Sequence, residues 1–288
     1  QTLEGLEHFT GIEYLELRGN NFTDLTPVLA LKRLEQLLLG HTNAQVDYEV
    51  VGELVGLKRL SLSYIYNETS IGDAPWLSNL ARLTYLELSY SGLTSLDAVL
   101  GLSALTELRV GGNPGLEVSG LSGLSQLRGL EVNDVGLTSL DLVLGLTELT
   151  WLQAQNNQIS DLSGLSGLTQ LNQLYLDNNQ LTSLTLPELP NLGYLRAGNN
   201  QIASIDLTNV PNLYGLYLDN NGLSDLTDLA AALADQQSNN GNQLQLGLSS
   251  NGIKDVSPLA GLTRMGSLEL NYNQIEDITP LSGLTTMW

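Results

Sequence analysis

The stretch LYLDNNQLTSL, residues 174–184, returns almost unchanged as LYLDNNGLSDL at residues 216–226. A related version, LRAGNNQIASI, occupies residues 195–205 between the two copies. Self-similarity at a fixed spacing is typical of repeat architectures, in which every copy is one small structural unit. The three copies therefore predict a chain built from stacked units that share one apolar core.

The same spacing extends through most of the 288 residues. The first leucine of each LxL segment recurs mostly every 21 or 22 residues, at Leu15, Leu37, Leu60, Leu86, Leu108, Leu130, Leu152, Leu174, Leu195, Leu216, Leu246 and Leu268. LxL alternates with period two, which predicts a short strand with one buried face. The LxxLxxL spacing that follows favours a tight 3₁₀ or extended segment facing the same interior.

An asparagine follows the strand in most units, where the backbone has to turn inside the core. Its side-chain amide can both donate and accept hydrogen bonds, so it can satisfy buried backbone groups. We predict a ladder formed by Asn20, Asn113, Asn157, Asn179, Asn200, Asn221, Asn251 and Asn273. Thr42, Ile65, Ser91 and Val135 occupy this position in four other units, so we expect local distortion, mainly at residues 40–76.

The units resemble leucine-rich repeats, and NQISDLSGLSGL (157–168) and NGIKDVSPLAGL (251–262) resemble the 22-residue bacterial internalin type. The resemblance implies an α/β solenoid: a right-handed superhelix with a concave parallel β-sheet and a 3₁₀ or extended convex side. It also implies one domain, residues 1–288, of about twelve units. Repeat subunits that regulate protein phosphatase 1 have a similar period, but low lysine content and Gly/Ser/Thr-rich turns favour the bacterial type.

The regular spacing is broken by three insertions, near residues 42–55, 63–76 and 227–243. The third contains LAAALADQQ, whose strong helix formers predict a short α-helix. The chain opens with the second half of a unit and stops where another strand would begin, so we expect it to be a segment of a longer protein.

Composition excludes several functional classes. The chain has no cysteine and a formal net charge of −20, so disulfides and thiolate chemistry are absent and nucleic acid is a poor partner. No apolar run approaches the ~20 residues needed to span a membrane. Two histidines and scattered carboxylates form no catalytic or metal-binding motif, so we predict no enzyme, cofactor or metal site, and leave weak calcium binding open.

Strand residues next to the buried leucines should face solvent on the concave sheet. Aromatic residues are scarce, at 6%, yet four of them fall on this face in consecutive units. Exposed Tyr, Trp and Arg are the residues that dominate protein-binding surfaces. The predicted ligand-binding residues are Trp151, Gln153, Tyr175, Asp177, Tyr194, Arg196, Tyr217 and Asp219.

A second aromatic patch lies beside the early insertions and contains His41, Tyr64, Tyr66, Tyr85 and Tyr90. It either binds a ligand or braces the irregular loops. Taken together, the sequence predicts a non-enzymatic protein-binding module. By resemblance this is a secreted or cell-surface bacterial protein for adhesion or host interaction. A carbohydrate-binding module, with aromatic rings stacked on sugars, and a structural spacer between flanking domains remain alternatives.

Overall fold

The computed structural model describes residues 3–42, 45–65, 70–234, 236 and 242–285. The chain forms two compact units, Gln1–Gly136 and Leu137–Trp288, here called the N-terminal and C-terminal units. The single domain expected from the sequence stays a prediction. Each unit contains a parallel sheet on one side and short helical turns on the other.

The N-terminal unit contains strands that follow one another in both sequence and space. They are β1 (Tyr14–Glu16), β2 (Gln36–Thr42), β3 (Arg59–Ile65), β4 (Tyr85–Glu87), β5 (Glu107–Arg109) and β6 (Gly129–Glu131). The 3₁₀ helices of this unit are Leu6–His8, Thr26–Ala30, Glu49–Glu53, Pro75–Asn79 and Leu121–Gly123. The register pairs the first leucine of each LxL segment with that of the next, for example Leu37 with Leu60.

The C-terminal unit has the same plan. Its strands are β7 (Trp151–Gln153), β8 (Gln173–Tyr175), β9 (Ser183–Thr185), β10 (Tyr194–Arg196), β11 (Ser204–Asp206), β12 (Gly215–Tyr217), β13 (Leu244–Gly247) and β14 (Met265–Glu269). The main sheet runs β7-β8-β10-β12-β13-β14, and β9 pairs with β11 separately. The 3₁₀ helices are Asp141–Val143, Ser163–Leu165, Ser257–Gly261 and Thr279–Gly283, and α1 spans Thr227–Ala234.

Leucines from the strands and turns fill the interior of each unit. Leu60, Leu86, Leu174 and Leu195, for example, are fully buried. Burying a leucine side chain stabilises the fold by about 1.5–3 kcal/mol, and the contribution recurs in every repeat. The predicted leucine-rich repeat fold of parallel strands and 3₁₀ turns is confirmed. The predicted handedness and curvature stay predictions.

The asparagine ladder is present where the sequence predicted it. In Asn200, Oδ1 accepts the N–H of Leu181 at 3.0 Å, while Nδ2 donates to the carbonyls of Leu176 at 3.0 Å and Ala197 at 3.1 Å. One side chain thereby joins its own turn to the preceding ones. Most ladder asparagines are buried, whereas Asn20 is exposed and bonds only within its own turn.

Two of the four repeats without the asparagine have longer strands, whereas β4 and β6, which precede Ser91 and Val135, keep three residues. β2 and β3 each have seven residues, and their pairing continues to Thr42 and Ile65, the two ladder positions. β-Branched residues favour strands, so the pairing persists where the other units turn. In another such unit the hydroxyl of Ser91 donates to the carbonyl of Leu88.

The insertions pack against the repeats in their described parts. In the first, Val46, Tyr48 and Val51 are buried, and in the second Trp76 is 9% exposed. The third contains α1, as its composition predicted. Parts of all three, and Tyr66 of the predicted second patch, lie outside the described residues.

Candidate binding surface

Strand residues on either side of each buried leucine point away from the core, because side chains alternate along a strand. This side of the sheet is called the open face. On β10 it carries Tyr194 and Arg196, both partly exposed, on either side of the buried Leu195. The register places Tyr194 beside Gln173 and Arg196 beside Tyr175.

Four tyrosines meet on the open face of the C-terminal unit. We call Tyr175, Tyr194, Tyr214 and Tyr217 the tyrosine platform. The ring of Tyr194 lies 5.6 Å from that of Tyr175, 5.4 Å from that of Tyr217 and 6.4 Å from that of Tyr214, measured between centroids. Tilted pairs at these distances attract one another beyond the effect of area burial, so the platform is a preformed surface.

Glycines make room for the rings. The segments NLGYL (191–195) and NLYGL (212–216) exchange Gly and Tyr. A Cβ on Gly215 would lie 2.6 Å from the Tyr194 ring, and a Cβ on Gly193 would overlap the ring of Tyr214. Tyr214 was missed in the sequence analysis because it precedes the strand. The Gly–Tyr exchange between adjacent repeats is the signal that identifies it.

Hydrogen bonds fix the outer tyrosines. Tyr175 donates its hydroxyl to Gln173 at 3.1 Å, and Tyr217 donates to Gln245 at 3.0 Å. Burial, and then the neighbouring Tyr194, raises the pKa of Tyr175 and of Tyr217 above the ordinary value. Both side chains are therefore neutral at physiological pH and present a ring with one polar group.

Arg196 lies at the edge of the platform. Its Nε donates to Oδ2 of Asp177 at 3.1 Å, and its guanidinium carbon lies 5.5 Å from the centroid of the Tyr217 ring. An arginine held by a carboxylate and an aromatic ring loses less side-chain entropy when it binds a partner. The side chain remains 42% exposed, so it can still contact a ligand.

Asp177 and Asp219, both predicted to bind ligand, make contacts that hold the turns. Oδ1 of Asp177 accepts the N–H of Gly198 at 2.9 Å, and Oδ1 of Asp219 accepts the N–H of Ser249 at 2.8 Å. These bonds join successive turns, as those of the ladder do. Asp177 thus holds Arg196 and a turn, and Asp219 holds a turn; a direct role of either residue in ligand binding stays a proposal.

Trp151 and Gln153 lie on β7, beside the platform. The register pairs Trp151 with Gln173 and Gln153 with Tyr175, and both side chains are partly exposed. The structure therefore places all eight predicted residues on β7, β8, β10 and β12 or directly after these strands. Their function as a binding site stays a proposal.

The second predicted patch divides into two parts. His41, Tyr64 and Tyr90 stack, with centroids 4.6 Å and 4.8 Å apart and planes 18° and 14° from parallel. We call these three residues the aromatic column. Tyr85 lies apart from it, 8% exposed on β4, with the guanidinium of Arg59 3.4 Å above its ring.

The aromatic column has an unusual backbone. The residue directly before the ladder position has a φ between 51° and 71° in every repeat, at Gly19, His41, Tyr64, Tyr90, Gly112, Asp134, Asn156, Asn178, Asn199, Asn220, Ser250 and Tyr272. Gly, Asn and Asp adopt this left-handed conformation readily, whereas bulky residues rarely do. Aromatic residues occupy this position in three successive repeats, where their stacking can offset the cost of the left-handed backbone.

No described residues form a group of three or more His, Asp or Glu side chains able to hold a metal ion. Among the same residues, no helix is long and apolar enough to cross a membrane.

Comparisons with known proteins agree with the repeat pattern. A family model described as leucine-rich repeats in two copies matches residues 147–191 and 245–283. No curated protein sequence matches the chain. The fold resembles the internalin InlF from Listeria monocytogenes, with 26% identity and a TM-score of 0.73, over 98% of this chain and 87% of that one.

Two receptor complexes share the fold alone. The plant peptide hormone receptor RGFR1, solved with RGF2, has 21% identity and a TM-score of 0.65 over 97% of this chain and 47% of that one. TLR13, solved with single-stranded RNA, has 21% identity and a TM-score of 0.71 over 99% of this chain and 47% of that one. The repeats, the fold and the comparisons together show that the chain is built from leucine-rich repeats and resembles the internalins.

Proposed function

We propose that the chain is a non-enzymatic module that binds another protein through the open face of its C-terminal unit. The tyrosine platform is the observation that carries this proposal. Its four tyrosines are partly exposed, the other three rings lie 5.4–6.4 Å from that of Tyr194, and Arg196 lies at the edge of the platform. Tyrosine and arginine are enriched at the centres of protein interfaces, where a few residues supply most of the binding energy.

Protein fits this surface better than nucleic acid does. Leucine-rich repeat proteins bind both kinds of ligand, as the RGFR1 and TLR13 complexes illustrate. Here the net charge of −20 opposes the approach of a phosphate backbone. Arg196, the arginine at the platform, already shares its charge with Asp177. A partner with a neutral or basic surface is favoured.

We further propose that the module works at the surface of a bacterium, or as a secreted protein, in adhesion or interaction with a host. The likeness to the internalin InlF of Listeria monocytogenes supports this proposal. The absence of cysteine is compatible with it, because such a chain needs no oxidising compartment for disulfides.

The proposal is tested by screening the protein against arrays of extracellular proteins, glycans and single-stranded RNA, followed by affinity measurement on a sensor surface. The double variant Tyr175→Ala/Tyr217→Ala should bind the protein ligand at least about tenfold more weakly, a loss of about 1.4 kcal/mol. The matched control is Tyr272→Ala, because Tyr272 is a tyrosine of the same unit, 89% exposed and away from the platform.

Each outcome bears on the proposal. Unchanged affinity in the double variant, with an unchanged circular dichroism spectrum, would remove the platform as the binding site. Binding confined to the glycan array would replace the protein ligand with the carbohydrate alternative. Binding on none of the three arrays would favour a spacer role.

A further inference from the structure

The open face of the N-terminal unit is charged rather than aromatic. Among the described residues it carries three arginines and four glutamates: Arg18, Arg59, Arg109, Glu16, Glu87, Glu107 and Glu131. This surface lies outside the proposed tyrosine platform. Its chemistry depends on which charges already have partners.

The central glutamate is fully engaged. Oε2 of Glu87 accepts hydrogen bonds from Nη2 of Arg18 at 3.1 Å, from the hydroxyl of Ser61 at 2.7 Å and from the hydroxyl of Tyr85 at 3.2 Å. With 17% of its side chain exposed, Glu87 has little capacity left for an additional cation.

The other glutamates also have partners. Arg109 donates through Nε to Glu107 at 2.8 Å, and its Nη1 lies 3.9 Å from Glu131. Arg18 lies 3.9 Å from Glu16. Each glutamate of this face therefore already has a partner in Arg18, Arg109 or a hydroxyl group.

Arg59 differs from the other charged side chains of this face in the kind of contact that it makes. Its guanidinium carbon lies 3.4 Å above the centroid of Tyr85, whose ring is buried and whose hydroxyl is held by Glu87. Among the described residues, none forms a hydrogen bond or ion pair with the Arg59 side chain. An arginine stacked on a fixed ring keeps its plane, and its N–H donors stay directed outward.

We propose that Arg59, oriented by Tyr85, binds one carboxylate of a protein partner, from an acidic side chain or a chain terminus. The guanidinium presents two parallel N–H donors that match the two oxygens of a carboxylate. Gln36 is the register neighbour of Arg59 on β2 and is exposed, so its amide can supply an additional donor. Stacking pre-orders the side chain, which reduces the entropy lost on binding.

The surrounding charge favours a carboxylate over a phosphate. The net charge of −20 repels any anion, and it repels a doubly charged phosphate more strongly than a singly charged carboxylate. Screening limits this repulsion to about 8 Å at physiological salt. A single acid on an otherwise neutral or basic partner can therefore reach Arg59, which makes the contact a determinant of specificity.

The experiment uses the full chain with ¹⁵N-labelled arginine and follows each Nε–Hε resonance by NMR. The probes are N-acetylglutamate amide, the neutral N-acetylglutamine amide and inorganic phosphate, all at constant ionic strength. The Arg59 resonance should shift with the glutamate compound at a half-saturating concentration about threefold or more below that of Arg82. Arg82 is the matched control because it is an exposed arginine of the same unit.

Two variants of Tyr85 test whether its aromatic ring orients Arg59. Tyr85→Phe keeps the ring and should keep the preference of Arg59 over Arg82, whereas Tyr85→Leu should abolish it. Equal responses at Arg59 and Arg82, a response to the glutamine compound of the same size, or a preference for phosphate would each overturn the proposal. The test needs no macromolecular ligand, so its result is independent of the tyrosine platform.

Discussion

The two units hold their turns together in different ways. From Asn157 to Asn273 a continuous asparagine ladder satisfies the buried backbone, and the strands β7, β8, β10 and β12 are three residues long. In the region from β2 to β4 the ladder positions are Thr42, Ile65 and Ser91, and the aromatic column stands directly before them.

The same turn can thus be stabilised either by hydrogen bonds or by aromatic stacking. The amide satisfies groups that would otherwise be buried without partners, and each such group costs about 1–3 kcal/mol. Aromatic pairs contribute about 0.5–1.5 kcal/mol each. Part of that gain is offset, because a left-handed backbone at a bulky residue costs about 1–2 kcal/mol. The ladder should therefore be the stronger device.

The largest effect is expected for Asn200→Ala in the C-terminal unit. Its loss leaves the buried N–H of Leu181 without a partner and removes one of the two amide bonds to each of the carbonyls of Leu176 and Ala197, which keep those from Asn179 and Asn221. The free energy of unfolding should fall by about 3–5 kcal/mol, measured by urea denaturation.

The matched control for this change is Asn20→Ala. Asn20 occupies the same repeat position, but it is exposed and bonds only to the carbonyls of Leu17 and Arg18. Water can replace these bonds, so a loss below about 1 kcal/mol is expected. Equal losses at Asn20 and Asn200 would mean that burial does not determine the strength of the ladder.

A smaller effect is expected for Tyr64→Asn. The substitution removes stacking against both His41 and Tyr90 but relieves the left-handed strain, since Asn tolerates φ near 58°. The two pairs contribute about 1–3 kcal/mol and the relieved strain about 1–2 kcal/mol, so the net loss of unfolding free energy should be up to about 1 kcal/mol in the same denaturation experiment.

Tyr272→Asn tests the cost of the left-handed backbone without any loss of aromatic stacking. Tyr272 has the same φ of 58° but is 89% exposed. Without buried stacking to lose, this variant should be as stable as the parent or slightly more stable. A similar loss at both tyrosines would contradict the role assigned to the aromatic column.

The smallest expected effect is on the pH dependence of stability, through the exposed turns at Asp161 and Asp206 in the C-terminal unit. Hydrogen bonds from Ser163 lower the pKa of Asp161, and hydrogen bonds from Thr208 lower the pKa of Asp206. A carboxyl group with a lowered pKa in the folded state stabilises the fold above its unfolded pKa of about 3.9. This contribution is lost as the pH falls through the lowered pKa.

The urea midpoint should therefore decrease between about pH 6 and pH 2, and less so in the double variant Asp161→Asn/Asp206→Asn. Glu148→Gln, which removes an exposed charge from the same unit, is the control for net charge. A double variant with the same pH dependence as the parent would show that these turns do not contribute.

Much of the fold was predictable, because the repeat imposes one environment on equivalent residues. The LxL strands, the buried leucines and the ladder follow from period and residue type alone. The longer pairing of β2 with β3 did not follow, because it depends on how two irregular neighbours meet. The column was only partly predictable: aromatic letters at residues 41, 64 and 90 were visible, but their left-handed backbone and stacking were not.

The candidate sites were likewise predictable only in part. Tyr175, Tyr194 and Tyr217 were identified from strand position, whereas Tyr214 required knowledge of the space above Gly193. Asp177 and Asp219 were included because they lie among the aromatic residues in sequence, and their hydrogen bonds to the turns could not be predicted from the repeat. Tyr85 was grouped with the column by sequence, yet it supports Arg59, because neighbouring strands bring together residues 26 positions apart.

The exchange of Gly and Tyr between NLGYL and NLYGL has an evolutionary consequence. Any larger residue at Gly193 or Gly215 would displace a ring that belongs to the adjacent repeat. Positions 193 and 214, and positions 194 and 215, should therefore vary together among relatives of this chain. Insertion of a repeat between these two repeats, or deletion of one of them, would separate each ring from its glycine. The two repeats should therefore be kept or lost together.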